Sequence, residues 1–230
     1  MDNIQLQKWV KELKISPVEI IREETEMFIL NSISQSYIGK MLIFKGGTAL
    51  RLCYGSPRFS QDLDFNQRGP VNFNDFKELI NDIASKRTDI SIKDVYNKRF
   101  TIFALMLVRS PLLKQSFSIK IEVSKKNYGI LKENKDYSLI ISRSPVSLFN
   151  PLLYVYSLER IFLEKEMAIK SRQQPRDYFD LEFVAQKLER SIKIPKPTIN
   201  PSRFKGELNQ LLPNNLKDWA ANFLKRYERS

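Results

Sequence analysis

Apolar residues in the first half of the chain alternate between helical and strand-like spacing. A capping-box sequence, SPVE, opens a stretch of helically spaced apolar residues. Further along, two glycines follow a short apolar run, and a second short run contains the sequence DLDF. The elements that these patterns predict are a helix at 17–34, a strand at 41–44, a short helix at 48–53, a strand at 62–65 and a helix at 72–87.

Residues 89–142 are rich in Ile, Val, Phe and Thr, a composition that is typical of strands. Asn, Lys and Pro interrupt this stretch at intervals, so it predicts several antiparallel strands. In the segment 118–124, SIKIEVS, apolar residues alternate with Lys120 and Glu122. Because side chains alternate between the two faces of a strand, this segment directs one face to the core and the other to a cleft or to solvent.

After Asn150 the pattern becomes helical. The elements that it predicts are a helix from 152 to about 170, a helix from 177 to about 190, a proline-containing linker at 194–202 and a closing helical hairpin at 203–228. Helices, a mixed sheet and helices in this order favour an α+β fold. We predict a catalytic core with N-terminal helices at 1–147 and a helical C-terminal part at 148–230 that contributes to the active-site cleft.

Composition excludes several classes of function. Hydrophobic residues make up 42% of the chain, enough for a core, and no apolar run approaches the roughly 20 residues of a membrane-spanning helix. The N-terminus mixes acidic, polar and basic residues, so we expect no secretory signal. His is absent and Cys53 is the single cysteine, which excludes a Ser-His-Asp triad, a His-based zinc site and an intrachain disulfide, and favours a reducing cytoplasm.

The charge balance narrows the choice of partner. The net charge is +12, with 38 basic and 26 acidic residues. This excess favours a polyanionic partner, either nucleic acid or a nucleotide, although a surface of solvated lysines produces the same number. Because the chain has no His, catalysis has to rely on carboxylates, lysines, hydroxyls and hard metal ions.

Two acidic residues are the first candidates for that chemistry. Asp62 and Asp64 are one residue apart on a predicted strand, so both carboxylates lie on one face, while Leu63 and Phe65 point into the core. Adjacent carboxylates repel each other, and a divalent cation, Mg²⁺ or Mn²⁺, offsets that repulsion and prefers oxygen ligands. Glu122 is the candidate third ligand of a metal site for phosphoryl or nucleotidyl transfer.

The sequence Gly46-Gly47-Thr48 joins the first predicted strand to the short helix. Glycines let the backbone approach a phosphate closely, a helix N-terminus offers free N–H groups, and Thr48 adds a hydroxyl. The spacing differs from that of a Walker P-loop. Taken singly, Gly-Gly-Thr is most often a turn and Asp-x-Asp a surface pair. A strand, GGT, a helix and a strand-borne DLD in succession are far more specific.

Two sequence blocks resemble a known family. The first is KGGTAL at 45–50, followed by Arg58, Ser60 and DLDF, and the second is LEKEMAIKSRQQPRDYFDL at 163–181. Together they are similar to the DNA polymerase β-type nucleotidyltransferase superfamily and, within it, to the AbiEii/AbiGii-type toxins of abortive-infection and toxin–antitoxin systems. The resemblance extends over residues 45–181 and implies a polymerase β-type nucleotidyltransferase core.

The resemblance also implies roles for individual residues. Asp62 and Asp64 would bind metal, Lys165 would contact the triphosphate, and Asp177 would act as a base or orient the acceptor. Glu122 departs from the superfamily, in which the third acid is more often Asp. Residues that would lie against the nucleotide are Lys45, Gly46, Gly47, Thr48, Arg58 and Ser60. Of these, Arg58 is equally compatible with a solvated loop position.

The second block has an alternative interpretation as a solvated, salt-bridged helix surface, because its acidic and basic residues recur at i, i+4 spacing. Asp180 has three possible positions: capping a helix, pairing with Arg176 or facing the site. Each basic residue nearby is a solvated charge when taken alone. Those that are candidates for contacts to RNA phosphate are Lys125, Lys126, Lys132, Lys135, Arg172 and Arg176.

These features lead us to expect a metal-dependent nucleotidyltransferase that moves a nucleotide from an NTP to an acceptor hydroxyl and releases pyrophosphate. The basic surface and the resemblance favour an RNA acceptor, in particular tRNA, whose modification would stop translation and make the protein a toxin. A cognate antitoxin is expected by resemblance, and neither a membrane partner nor oligomerisation is expected. The alternatives are a protein or small-molecule acceptor, a non-catalytic nucleotide- or RNA-binding module, and a nuclease.

Overall fold

The computed structural model describes residues 1–126 and 131–227. The helices within these ranges are α1 (Asn3–Leu13), α2 (Pro17–Ser34), α3 (Gly46–Tyr54), α4 (Phe73–Ser85), α5 (Leu158–Ser171), α6 (Pro175–Lys187), α7 (Pro201–Asn209) and α8 (Asp218–Lys225). The strands are β1 (Leu42–Lys45), β2 (Asp62–Gln67), β3 (Ile90–Asn97), β4 (Thr101–Val108), β5 (Phe117–Ser124), β6 (Tyr137–Ile141) and β7 (Leu152–Tyr156).

Helix α2 confirms the prediction at 17–34, whereas α1 has no counterpart among the predicted elements. The apolar signal of α1 is weak because Leu6 is its one buried residue. Its start is fixed by polar groups instead. The Asp2 side chain accepts a hydrogen bond from the backbone N–H of Gln5 at 2.8 Å, and the Gln5 side chain accepts one from the backbone of Asp2. This reciprocal cap satisfies N–H groups that the first helical turn leaves unpaired.

The strands of the described residues form one mixed sheet in the order β3-β4-β5-β2-β1-β7-β6. Strand β2 is parallel to β5, β1 is parallel to β7, and the other neighbours are antiparallel. The predicted α+β fold is therefore confirmed. The segment 89–142 is more divided than predicted, because it supplies three strands at one edge of the sheet and β6 at the opposite edge.

Strand β1 separates two apolar cores. Phe44 belongs to a core that the sheet shares with α1, α2, α3 and α4, and this core also contains Leu63 and Phe65. Its neighbour Ile43 belongs to a second core, which includes Tyr156 and is closed by α5 to α8. Successive side chains of a strand point to opposite faces, so a short apolar run serves both cores at once.

The prediction of one helix from 152 to about 170 is wrong at its start. The sequence LLYVY forms β7, which pairs with β1 and β6, and the helix begins only at Leu158. Aromatic and branched side chains favour a strand in this five-residue run. Ser157 then caps α5, because its side chain accepts a hydrogen bond from the backbone N–H of Arg160.

The C-terminal part follows the other predictions closely. Residues 188–200 contain no helix or strand, as the proline-rich linker predicts, and α7 and α8 form the closing pair of helices. The last residue of the predicted hairpin, 228, lies outside the described residues. The division at 147 and 148 stays a prediction, since β7 comes from the second part but lies within the common sheet. Among the described residues, no helix is long and apolar enough to cross a membrane.

Candidate active site

Two acidic side chains share one face of strand β2 at the wall of a cavity. Asp62 and Asp64 are partly exposed, whereas Leu63 and Phe65 are buried in the core behind them. The parallel neighbour β5 places Glu122 directly beside Asp64. The alternation of the strand thus brings three carboxylates onto one face, as the sequence predicts.

Lys120 belongs to this acidic face, although no motif marks it. Its ammonium Nζ lies 3.3 Å from Asp62 Oδ2 and 3.2 Å from Glu122 Oε2. Burial alone would lower the pKa of Lys120, but the charges of Asp62, Asp64 and Glu122 outweigh burial and hold that pKa above its usual value. Lys120 is therefore a protonated internal counter-ion. The alternation in SIKIEVS places Lys120 on the face of Glu122, but its position beside Asp62 depends on the register between β2 and β5.

The carboxylate pair fits a divalent cation. Burial raises the pKa of Asp64, and the negative charges of Asp62 and Glu122 raise it further against the opposing effect of Lys120. Clustered, partly dehydrated carboxylates favour the binding of a hard cation, whose preferred ligands are oxygens. Within residues 1–126 and 131–227, however, no three acidic side chains come close enough to hold one metal ion. Lys120 bridges Asp62 and Glu122 instead, so Glu122 as third ligand stays a prediction.

Helix α3 starts with two glycines because both lie against other parts of the site. Gly46 has a φ of 80°, and a Cβ there would meet Asp64 Oδ2 at 2.8 Å. At Gly47 a Cβ would meet Arg58 Nη2 at 2.2 Å and Ser60 Oγ at 2.8 Å. The glycines thus have a structural requirement, close packing against the carboxylate and the guanidinium, beside the predicted approach of a phosphate.

Thr48 lies behind the cavity wall. It is 1% exposed, and its hydroxyl donates a hydrogen bond to the backbone carbonyl of Asp62. This contact holds the first turn of α3 against the strand that carries the carboxylates. The structure therefore gives Thr48 a positioning contact and does not bring its hydroxyl to the cavity. The other nucleotide candidates that line the cavity are Lys45, Gly46, Gly47, Arg58 and Ser60.

A buried ion network joins the loop before β2 to helices α5 and α6. Arg58 Nε and Nη2 each donate to the carboxylate of Asp180 at 2.8 Å. Lys165 Nζ lies 2.7 Å from Asp180 Oδ2 and 3.0 Å from Asp177 Oδ1. Arg172 Nε donates to Asp177 Oδ2 at 2.8 Å. Three cations and two carboxylates are thus linked in one continuous chain.

The cations of this network keep both carboxylates ionised. Burial alone would raise the pKa of Asp177, but Lys165 and Arg172 lower it to about 2. For Asp180, burial is likewise outweighed by Arg58 and Lys165, which lower its pKa below the usual value. A carboxylate with so low a pKa is a weak base, so Asp177 is suited to hold cations in place and is poorly suited to accept a proton.

The network corrects three interpretations of the sequence. The second block is not a solvated surface at this point, since Lys165 is 7% exposed and Asp177 is fully buried. Arg58 is 1% exposed, so the alternative of a solvated loop position is wrong. Two donor atoms of the Arg58 guanidinium, on the side of Gly47 and α6, are already bound by Asp180. Asp180 is itself fully buried and pairs with Arg58 and Lys165.

A cavity of about 880 Å³ separates the acidic sheet face from helix α5. Such a volume is that of a typical small-ligand site. Lys45 at the end of β1 reaches across it to α5, where its Nζ lies 3.0 Å from Glu164 Oε1. The basic side chains that line the cavity besides Lys45, Arg58 and Lys120 are Lys126, Arg160, Lys165, Lys170, Arg172 and Arg176. Glu164 and Glu166 also line the helix wall, but cations outnumber them there. An acidic sheet wall facing a predominantly basic helix wall fits a metal-bound polyphosphate.

Comparison with solved structures identifies proteins that share this fold. A crystal structure of a putative nucleotidyltransferase from H. pylori is 21% identical, covers 94% of this chain and 98% of its own, and superposes with a TM-score of 0.57. A structure of JHP933 from Helicobacter pylori gives 20% identity, 94% and 97% coverage and a TM-score of 0.57. This chain therefore shares its fold with both proteins, one of which is described as a putative nucleotidyltransferase.

A family model gives a more specific assignment than the fold does. Residues 29–199 match the family model described as "Nucleotidyl transferase AbiEii toxin, Type IV TA system", and the chain belongs to that family of nucleotidyltransferase toxins. MenT4, a nucleotidyltransferase toxin from Mycobacterium tuberculosis H37Rv, shares the fold at 16% identity and a TM-score of 0.60, covering 89% of this chain and 68% of its own. No curated protein matches the sequence.

Proposed function

We propose that this nucleotidyltransferase toxin is metal-dependent and transfers a nucleotide from an NTP to a hydroxyl of RNA, with tRNA as the expected acceptor. The observation that carries the proposal is the placement of Asp62 and Asp64 side by side on the wall of a cavity whose opposite wall is basic. Such an arrangement suits a metal-bound triphosphate next to a second polyanion.

Different residues of the cavity have different roles in the proposed reaction. Asp62 and Asp64 would hold the divalent cation, which when bound stabilises the negative charge on the reacting phosphate oxygens. The acceptor oxygen forms a bond to the α-phosphorus, the bond from that phosphorus to the oxygen that leads to the β-phosphate breaks, pyrophosphate leaves, and the hydroxyl proton passes to solvent. Gly46 and Gly47, at the N-terminus of α3, offer backbone N–H groups toward the phosphates.

Lys165 and Asp177 enter this proposal as a pair. Lys165 lines the cavity but is already held by Asp177 and Asp180, so its charge is fixed in position before any substrate arrives. Preorganised charge stabilises developing negative charge without a reorganisation cost. Asp177 acts through Lys165 and Arg172, which it orients from behind the wall.

The cellular setting follows from the family and from the substrates. A type IV toxin–antitoxin family implies a cognate antitoxin, which we propose as a partner of this chain. NTPs and tRNA are cytoplasmic, so we propose that the chain acts in the cytoplasm. Nothing in the reaction requires a membrane.

The acceptor is tested by a transfer assay. The full chain is incubated with each NTP labelled at the α-phosphate, with Mg²⁺ and with total RNA, total protein or neither. The proposal predicts label in the RNA fraction, concentrated in tRNA, and its loss in Asp62→Ala. Label in protein or in a small molecule would contradict the acceptor while leaving transfer intact. No transfer with any NTP and any fraction would sink the proposal as a whole.

A further inference from the structure

A row of side chains crosses the sheet from the acidic site to its edge. In the pairing of neighbouring strands, Asp64 of β2 lies beside Glu122 of β5, Glu122 beside Phe103 of β4, and Phe103 beside Tyr96 of β3. Directly paired residues of adjacent strands point to the same face. The two aromatic side chains therefore lie on the face that carries the carboxylates.

The two rings are stacked face to face on this side of the sheet, so each covers one face of the other. Their centroids are 4.4 Å apart and their planes differ by 9°. Both residues are half-buried. Their neighbours along the two strands, Ala104 and Val95, point to the other face, where Ala104 is fully buried in the core and Val95 packs against it. Helices α2 and α4 pack on that opposite side, so the aromatic pair is not needed to fill the core.

Cations surround the outer end of the pair. Lys98 Nζ lies 4.5 Å from the centroid of the Tyr96 ring, and Lys98 and Arg99 are both exposed in the turn between β3 and β4. Lys126, which follows β5, lines the cavity at the other end of the row, whereas Lys125 is paired with Asn97 on the opposite face of the sheet. Aromatic faces interleaved with cations are the usual means by which proteins hold single-stranded nucleic acid.

The aromatic row is continuous with the cavity. Thr101, two residues before Phe103 on β4, lines the cavity together with Ser124 and Lys126 of the neighbouring chain segment. At roughly 4.8 Å per strand, Phe103 lies about 10 Å and Tyr96 about 14 Å from Asp64 along the row. A strand of a few nucleotides whose terminal hydroxyl is at the carboxylates covers such a span.

We propose that the ring face of Phe103 that Tyr96 does not cover is a stacking platform for an unpaired base next to the acceptor end of a single-stranded RNA, with Tyr96 supporting the Phe103 ring from behind. The cations of the β3–β4 turn, Lys98 and Arg99, with Lys126 of the cavity wall, contact the phosphates of the same strand. The proposal rests on the proposed function for the identity of the acceptor. It adds the place where the RNA lies and the requirement that its end be unpaired, because a base has to leave its duplex to stack on a protein ring.

A binding assay without NTP tests the platform separately from transfer. A short labelled single-stranded RNA of mixed sequence is titrated with the full chain and followed by fluorescence anisotropy, with the same RNA in a duplex as a comparison. Phe103→Leu should weaken single-strand binding at least about five-fold, the lower bound for loss of one base stack. Tyr96→Leu, which removes the ring that supports Phe103, should weaken it less. Duplex binding should not change.

Matched variants separate stacking from folding of the hairpin. Phe103→Trp keeps an aromatic face and should bind as the wild type does, while Tyr37→Leu, at a 69% exposed tyrosine remote from the row, should have no effect. A 2-aminopurine base near the 3′ end should lose fluorescence on binding to the wild type and to Phe103→Trp, and much less with Phe103→Leu. A purely structural ring would not produce this quenching.

Three results would overturn the platform. The first is that wild type and Phe103→Leu bind single-stranded RNA with equal affinity. The second is that Phe103→Trp weakens binding as much as Phe103→Leu does. The third is that a protein acceptor is labelled and no RNA is bound. The proposed function fails by a different result, absence of nucleotide transfer. RNA binding that depends on Phe103 without nucleotide transfer would support the platform and contradict the proposed reaction. Nucleotide transfer without Phe103-dependent RNA binding would support the reaction and contradict the platform.

Discussion

At the scale of single residues, the site depends on contacts that leave no room for a side chain. Gly47 lies so close to Arg58 that a Cβ would come within 2.2 Å of the guanidinium, which Asp180 holds in place from the other side. The guanidinium cannot move away without losing a buried ion pair. The glycine, the arginine and the aspartate are therefore one packing unit, although they come from distant parts of the chain.

Gly47→Ala tests this packing. We expect it to destabilise the fold by about 1–3 kcal/mol, the usual cost of overpacking, and to lower transfer activity because the start of α3 shifts. Thermal unfolding monitored by circular dichroism measures the loss. The matched control is Gly206→Ala in α7, where a Cβ meets no atom within 4 Å and a small gain in stability is expected. Equal unfolding temperatures for the two variants would contradict the argument.

Lys120 allows a second prediction at this scale. Its ammonium neutralises part of the charge of Asp62 and Glu122, so Lys120→Gln should strengthen metal binding. Between a unit charge and a divalent cation about 4 Å apart in water the interaction is about 2 kcal/mol, or about 30-fold in the Mg²⁺ concentration for half-maximal transfer. Lys93→Gln, at an exposed lysine of β3, is the control. An unchanged Mg²⁺ requirement, or an increased one, would assign Lys120 to the nucleotide rather than to the carboxylates.

At the scale of elements, the joint between α5 and α6 is electrostatic. Asp177 and Asp180 of α6 are fully buried and bind Lys165 of α5, and Asp180 also binds Arg58 of the loop before β2. Removing one member would leave the others buried without a counter-charge, which typically costs about 3–5 kcal/mol. These ion pairs thus connect the C-terminal helices to the sheet at the point where the cavity opens.

The low pKa of Asp177 makes this joint sensitive to acid. Its folded-state pKa of about 2 lies below the unfolded value of about 3.9, so its contribution is complete above about pH 4 and is lost as the pH falls through about 2. The part of this contribution that is lost between pH 5 and pH 2 is about 2 kcal/mol. The free energy of unfolding of the wild type minus that of Asp177→Asn should therefore shrink by about this amount between pH 5 and pH 2, as measured by urea unfolding.

The difference between the two proteins isolates Asp177 from groups that respond in the opposite direction. Burial raises the pKa of Glu19 and of Glu26 in α2, and these residues stabilise the fold most at low pH. Both residues are present in wild type and variant, so their effect cancels. A difference that stayed constant from pH 5 to pH 2 would show that Asp177 keeps an ordinary pKa.

At the scale of the whole molecule, most of the first half of the fold follows from local pattern, with α1 as the exception. The alternation in DLDF and SIKIEVS predicts the faces of β2 and β5, and the helical spacing of 17–34 predicts α2. The register between strands is not local information. The position of Lys120 among three carboxylates depends on it, as does the row from Asp64 to Tyr96, and neither is accessible from one sequence.

The second half was harder to predict for a physical reason. Strand β7 adjoins helix α5, whose apolar residues continue the apolar pattern of the strand, so periodicity alone merges the two elements. Only pairing with β1 and β6 separates them. The charges of α5 and α6 look like a solvated surface when read in sequence. Their burial is a property of tertiary packing, which brings Arg58 from the first half to Asp180 in the second.

The net charge of +12 gives a prediction for RNA binding as a whole. The logarithm of the affinity for single-stranded RNA should fall linearly with the logarithm of salt concentration, with a slope of about −0.7 for each neutralised phosphate. Lys98→Gln and Lys126→Gln should each reduce the magnitude of the slope by about 0.7. Lys205→Gln, at an exposed lysine of α7, should leave it unchanged. Equal slopes for all three variants would place the RNA elsewhere on the molecule.

The central claim is that Asp62 and Asp64 carry out nucleotide transfer within a cavity that binds RNA. Its most direct test is the initial rate of transfer of α-labelled nucleotide to RNA by wild type, Asp62→Asn, Asp64→Asn and the exposed control Asp82→Asn, each first shown to be folded by circular dichroism. We predict a loss of about 100-fold or more for the two site variants, the scale of a lost electrostatic stabiliser, and wild-type rates for the control. Transfer by Asp62→Asn and Asp64→Asn at the wild-type rate would contradict the account.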